Sequence, residues 1–209
     1  MSDLEQPQIY LITPSSFELS SFSNQLNEVL DACDIACLRL SLSTRDEDRI
    51  LRAGDMVREI THSRDIALVI DSHIRMVERL GLDGVHLPDG ARNLRKTRED
   101  LGPDAIIGAH CGQSRHEGMN AGESGADYVC FGPVGKSDLG DGEVAEPDLF
   151  KWWSEMIEVP VVAEGDIGDE DFRNLASVTD FFALGDEVWL ADNPAERLRE
   201  IQEIIRSGL

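Results

Sequence analysis

The chain predicts one (β/α)8 barrel over residues 1–209, and three observations carry that prediction. Short apolar, β-branched runs alternate with longer amphipathic stretches, the pattern of parallel strands covered by crossover helices. There are eight such runs, the number that closes a barrel. No Pro/Ser-rich linker or break in composition divides them, and the length suits a barrel, whose lower limit is roughly 200 residues.

In chain order the strand candidates are Gln8 to Thr13, Ile35 to Leu40, Ile66 to Asp71, Gly84 to Leu87, Ala105 to His110, Asp127 to Gly132, Val159 to Glu164 and Phe181 to Gly185. The fourth is the shortest. Between the first two, Phe22, Leu26, Val29 and Leu30 recur at three- and four-residue spacing, which predicts a helix over Phe22 to Ala32. Ile50, Leu51, Met56, Val57 and Ile60 do the same over Ile50 to Ile60. After the sixth strand, Val134 to Pro147 has three glycines, four carboxylates and no helical period, so it reads as a loop over the barrel mouth.

Composition narrows the function. With 41 acidic against 19 basic residues the net charge is -22, which repels phosphate backbones and anionic lipid. The one dense basic stretch, Arg92 to Arg98, runs straight into Glu99 and Asp100, so neither nucleic acid nor membrane is an expected partner. No run of about 18 apolar residues is present, and the first residues lack the features of a signal peptide, so the expected location is the cytoplasm. Cys33, Cys37, Cys111 and Cys130 have no C-x-x-C spacing and read as reduced thiols. The expected partner is a small-molecule ligand, and a homodimer is compatible with this reading.

In a barrel of this kind the strand C-termini and βα loops form the active face. The residues there are unusually polar: Arg39 and Ser41 after strand two, Asp71 after three, His86 at four, His110 at five, Lys136 in loop six, Glu164 and Asp166 after seven, and Asp186 after eight. On strand two the period of two sets Cys37, Arg39 and Ser41 on one face and Leu38, Leu40 and Leu42 on the other. An Arg between leucines in a doubly buried strand is expected to point to the polar mouth.

The segments L-V-I-D (68–71), L-G-L-D-G-V-H-L (80–87), A-I-I-G-A (105–109), G-A-D-Y-V-C-F-G-P (125–133) and V-P-V-V-A-E-G-D-I (159–167) resemble thiamine-phosphate synthase and its thiazole tautomerase relatives. Their order and spacing cover nearly the whole chain. The resemblance implies an enzyme of thiamine biosynthesis or salvage that joins a pyrimidine diphosphate to a thiazole phosphate, with Mg2+ on the departing diphosphate. Positioning and anion stabilisation supply most such catalysis.

Carried over residue by residue, the resemblance is partial. The family's Gln-x-Arg-x-Lys on strand two reads Cys37-x-Arg39-x-Ser41. Its Asn-Asp after strand three reads Asp71-Ser72, and in its His-x-Gly-Gln-x-Asp the second magnesium Asp is Ala91, with Asp89 two places earlier. On strand five the pyrophosphate-holding Ser is His110 and the tautomerase His position is Gly112. The Thr-x-Thr-Lys segment shortens to Gly135-Lys136-Ser137-Asp138, the Gly-Gly turn reads Gly165-Asp166, and the phosphate-binding Ser region after strand eight is Gly185-Asp186.

The resemblance therefore assigns Arg39, His86 and His110 to catalysis. It assigns Cys37, Ser41, Lys136, Ser137, Gly165, Asp166, Gly185 and Asp186 to substrate binding, and Asp71 and Asp89 to a cation. Each has a plainer reading. Arg39 pairs with Asp71, His86 and His110 are satisfied barrel histidines, Lys136 is a solvated loop charge, and the carboxylates are surface residues of a very acidic chain. Acidic residues at the phosphate turns also oppose phosphate. An unpaired charge about 4 Å from a phosphate oxygen repels it by roughly 1 kcal/mol in water and about 4 at an effective dielectric near 20. Asp166 is the residue expected to cap that turn. The sequence thus leaves two functions, a weakened synthase or a relative that binds a less charged ligand.

Overall fold

Eight parallel strands pair in sequence order, β1 (Gln8–Ile12), β2 (Ile35–Leu40), β3 (Ala67–Asp71), β4 (Gly84–Leu87), β5 (Ile106–His110), β6 (Tyr128–Phe131), β7 (Val161–Glu164) and β8 (Phe181–Leu184), and β8 returns to β1 to close a barrel. This is a computed structural model that describes residues 6–135 and 143–209. The covering helices are α1 (Leu19–Leu30), α2 (Glu47–His62), α3 (Ile74–Leu80), α4 (Leu94–Leu101), α5 (Arg115–Glu123), α6 (Pro147–Met156), α7 (Asp169–Leu175), α8 (Asp186–Trp189) and α9 (Pro194–Ser207). Among the described residues no helix is long and apolar enough to cross a membrane.

The strands lie where the apolar runs predict, trimmed by a residue or two at their ends. The largest trim is at β7, where Pro160 has no N–H for the ladder and the Val159 carbonyl accepts from Trp153 Nε1 at 2.7 Å instead. Both expected helices begin earlier than their apolar periodicity, while α1 ends at Leu30, two residues short of Ala32. The first three residues of α1 precede its first buried residue, Phe22, and α2 is capped by Asp46, whose carboxylate accepts from the N–H groups of Asp48 and Arg49. Capping chemistry and polar first turns carry no apolar period, so the pattern underestimates both.

Along each strand, alternate residues face the helices and the barrel interior. Leu38 and Leu40 of β2 are fully buried in the outer core with Leu68, Ile107 and Phe182. The inward set includes Tyr10, Cys37, Val69, Tyr128, Cys130, Val162 and Ala183. Tyr10 and Tyr128 cross the interior and share a 2.7 Å hydroxyl–hydroxyl hydrogen bond. Gly108 makes room for this, because a Cβ there would lie 1.9 Å from the Tyr128 ring.

Three aspartates brace the opposite, N-terminal end. Asp83 Oδ2 accepts from Leu68 N at 2.7 Å, Asp127 Oδ2 from Ile107 N at 2.7 Å, and Asp180 Oδ2 from Val161 N at 2.8 Å. Each stands just before an even-numbered strand and satisfies an N–H of the odd-numbered strand before it. The Asp of G-L-D-G and of G-A-D-Y is therefore architectural, and its role at the barrel's lower rim needs no ligand.

Candidate active site

The C-terminal ends of β2, β3, β4, β5 and β7 bring Arg39, Asp71, His86, His110 and Glu164 to one mouth. Arg39 is only 4% exposed. Its Nη2 donates to Glu164 Oε1 at 2.5 Å, its Nε lies 3.4 Å from Asp71 Oδ1, and its guanidinium sits 5.6 Å from the centre of the Tyr10 ring. The partner expected for Arg39 was Asp71, yet the shorter contact is to Glu164, on a strand not paired with β2. Among the described residues Arg39 Nη1 is buried with no hydrogen-bond partner.

Burial and this charge network set the protonation states. Burial would raise the Glu164 carboxyl, but the charge and hydrogen bond of Arg39 outweigh it and hold it at about 2. Burial raises Asp71, against the pull of Arg39. His86 is driven well below the usual imidazole range, first by burial and then by Arg39. Its Nδ1 lies 3.0 Å from the Tyr128 hydroxyl, so its other ring nitrogen is left for the mouth. Cys130 donates its thiol to Glu164 Oε2 at 2.9 Å.

The Arg39–Glu164 pair divides the mouth into two clefts, because both residues line both. One cleft, roughly 410 Å3, is walled by Asp71, Ser72, His73, His86 and His110. The other, roughly 330 Å3, is walled by Thr13, Ser41, Gly165, Asp166, Gly185, Asp186 and Glu187. In the second cleft four carboxylates face one guanidinium. Two of its backbone donors are already taken: Glu187 Oε2 accepts from Gly185 N at 2.8 Å and Glu187 Oε1 from Ile167 N at 3.2 Å.

These positions correct several expectations. The carboxylate on the turn is Glu187, not Asp166. Asp166 is exposed at the edge of this cleft, with a left-handed φ of 52°, a conformation that glycine adopts freely. Asp186 is exposed at the start of α8. Cys37 faces the barrel interior one step below Arg39 and lines a cavity at the opposite end with Tyr10 and Tyr128, not the mouth. Asp89 lies in a separate surface cleft with Arg92 and Arg95, where it accepts from Asn93 Nδ2 at 3.1 Å. Asp71 and Asp89 thus line different clefts, and Asp71 faces Arg39, so the oxygen set implied for Mg2+ is divided between them. Ser41 lies in the second cleft, with its N–H donating to Thr13 Oγ1 at 3.0 Å. Lys136 and Ser137, with half of the expected loop (136–142), lie outside the described residues.

Two residues at the centre of the site, Glu164 and Glu187, stand outside the assigned set. Glu164 was legible as a polar strand terminus. Glu187 carried no signal, because a Glu in the first turn of a helix reads as an ordinary partner of the helix dipole.

Comparison with known proteins agrees with this geometry. A family model described as thiamine monophosphate synthase matches residues 9–185. A thiamine-phosphate synthase of Rhodospirillum centenum is 38% identical over 95% of this chain and 98% of its own length, and one of Erythrobacter litoralis is 35% identical over 93% and 94%. A thiamine phosphate pyrophosphorylase structure from Pyrococcus furiosus, 23% identical, superposes over 97% of this chain and 96% of its own with a TM-score of 0.83 and shares the fold. With the closed barrel, the polar mouth and this near full-length identity, the chain belongs to the thiamine monophosphate synthase family.

Proposed function

We propose that this protein serves thiamine biosynthesis or salvage by binding a pyrimidine- or thiazole-class ring at the barrel mouth, with little capacity for phosphate or diphosphate. The observation that carries the reading is Glu187. Its two oxygens occupy the N–H groups of Gly185 and Ile167, where a phosphate would need free donors. Together with Asp166 and Asp186 it makes that cleft favour a neutral or cationic group over an anion. In the neighbouring cleft the unpartnered Arg39 Nη1 offers one buried donor to a ring nitrogen, hydroxyl or carbonyl, and neutral His86 supplies a flat wall. A magnesium-assisted departure of diphosphate finds no matching oxygen set among the described residues, and Lys136 and Ser137 are the remaining candidates for phosphate contact.

Thermal denaturation with unphosphorylated hydroxyethylthiazole, the thiazole phosphate, and pyrophosphate with magnesium tests this. A ligand at a hundred times its dissociation constant adds about 2.7 kcal/mol of stability. The unphosphorylated ring is expected to stabilise the protein more than either anion. Glu187→Ala should free the two N–H groups and raise affinity for the thiazole phosphate about tenfold or more. Thiamine-phosphate synthesis by the parent protein at a typical enzyme rate, on the order of 1 per second or faster, would overturn the reading.

A further inference from the structure

The disagreement between the mouth and a magnesium site points to a different ion. His86, His110 and Glu164 each present one ligand atom, and these atoms lie within 4.8 Å of one another. They come from three strands, β4, β5 and β7, whose backbones are fixed by the closed ladder. We propose that these three residues form a mononuclear site for a divalent first-row transition ion of the zinc class, with its open coordination positions facing the 410 Å3 cleft.

Donor chemistry decides the class of ion. Two imidazoles and one carboxylate suit zinc and its neighbours, whereas Mg2+ requires oxygen ligands and keeps its waters. Zinc–nitrogen and zinc–oxygen distances of about 2.0–2.2 Å place tetrahedral ligand atoms about 3.4 Å apart. The three atoms must draw together by about 1.4 Å at most, and His110 and Glu164 are both part-exposed and able to rotate.

The surroundings are built as an outer shell is built. His86 Nδ1 is hydrogen-bonded to the Tyr128 hydroxyl, which is held in turn by Tyr10, so the ring is oriented from below and the tautomer in which Nδ1 donates leaves the other nitrogen bare for an ion. Glu164 is oriented by Arg39 and Cys130, and each of its oxygens keeps a lone pair beyond those bonds. The guanidinium does not exclude a cation, since Asp71 and Glu164 together leave the cluster one negative charge before metal enters. At the His110 position the family resemblance expects a serine, which is no zinc ligand, so the site belongs to this chain's own departures.

Metal binding to untagged, chelator-treated full-length protein tests the proposal without substrate or turnover, so its failure is separable from failure of the functional reading. Co2+ should bind with one equivalent and give a d–d absorption band that zinc displaces, while excess Mg2+ leaves it unchanged. His110→Asn and His110→Ser, which touch a part-exposed residue and should fold as the parent does, are expected to weaken Co2+ binding by at least ten- to a hundredfold. His116→Asn, on the exposed surface, should leave it unchanged. Absence of a stoichiometric band in the parent, or a band indifferent to both His110 variants, would overturn the site.

Discussion

Arg39 Nη2 and Glu164 Oε1 stand 2.5 Å apart although their residues are 125 positions distant and their strands share no hydrogen-bonded edge. The pair spans the barrel and separates its two clefts. Each charge is buried enough to need the other, so removing one is worse than removing both. Arg39→Met and Glu164→Gln should each destabilise by about 3 kcal/mol or more, and the double variant Arg39→Met/Glu164→Leu should recover a large part of that loss. Urea denaturation of the four proteins at pH 7 in chelator measures it; additive losses would refute the coupling.

His86 sets an acid-side limit on stability. Its folded pKa lies well below its ordinary value, so between that value, about 6.5, and the folded pKa the unfolded chain binds a proton that the folded chain refuses. Stability therefore falls as pH drops below about 6.5, with a slope approaching 1.4 kcal/mol per pH unit. Glu164 acts lower down: its depressed pKa contributes stability that is full above its ordinary 4.5 and is lost as pH falls toward about 2. His86→Gln should flatten the fall just below pH 6.5 in a pH–stability profile taken from pH 8 to 3 and leave in place the Glu164-dependent fall below 4.5.

Gly108→Ala tests the link between the barrel interior and the mouth. The added methyl would lie 1.9 Å from the Tyr128 ring, so that ring must move and loosen its bonds to Tyr10 and His86. Overpacking of this kind costs about 1–3 kcal/mol. A lowered melting temperature together with a His86 pKa closer to its ordinary value, read by imidazole NMR, is the expected result.

Asp180→Ala probes the lower rim alone. It leaves Val161 N and its strand end without an acceptor, a loss of about 1–3 kcal/mol. Ligand and Co2+ affinities should stay at parent values, because Asp180 is at the end of the barrel away from the mouth.

Asp166→Gly and Glu187→Ala separate two acidic residues that look alike in sequence. Asp166 holds φ at 52°, and glycine relieves up to about 1 kcal/mol of that left-handed cost. It uncovers no N–H donor, so thiazole phosphate affinity should change less than twofold at moderate salt, against the tenfold gain expected for Glu187→Ala. Calorimetric titration of the two variants side by side distinguishes them; equal gains would return the capping role to Asp166.

What the sequence by itself determined is the local pattern and its closure. Buried parallel strands must be apolar on both faces, so each strand declared itself as a short run, and eight of them without a linker left a barrel as the economical arrangement. The period of two then sent Arg39 inward and placed Asp71, His86, His110 and Glu164 at strand ends. Only the tertiary structure decided which of those ends meet. Arg39 chooses Glu164 over Asp71, Cys37 turns to the barrel's lower cavity, Asp89 leaves for another cleft, and Glu187 reaches back to the turns after β7 and β8. The physical reason is that these contacts depend on the width and stagger of a closed barrel and on side chains one turn into a helix. Neither leaves a mark in the spacing of residues along the chain.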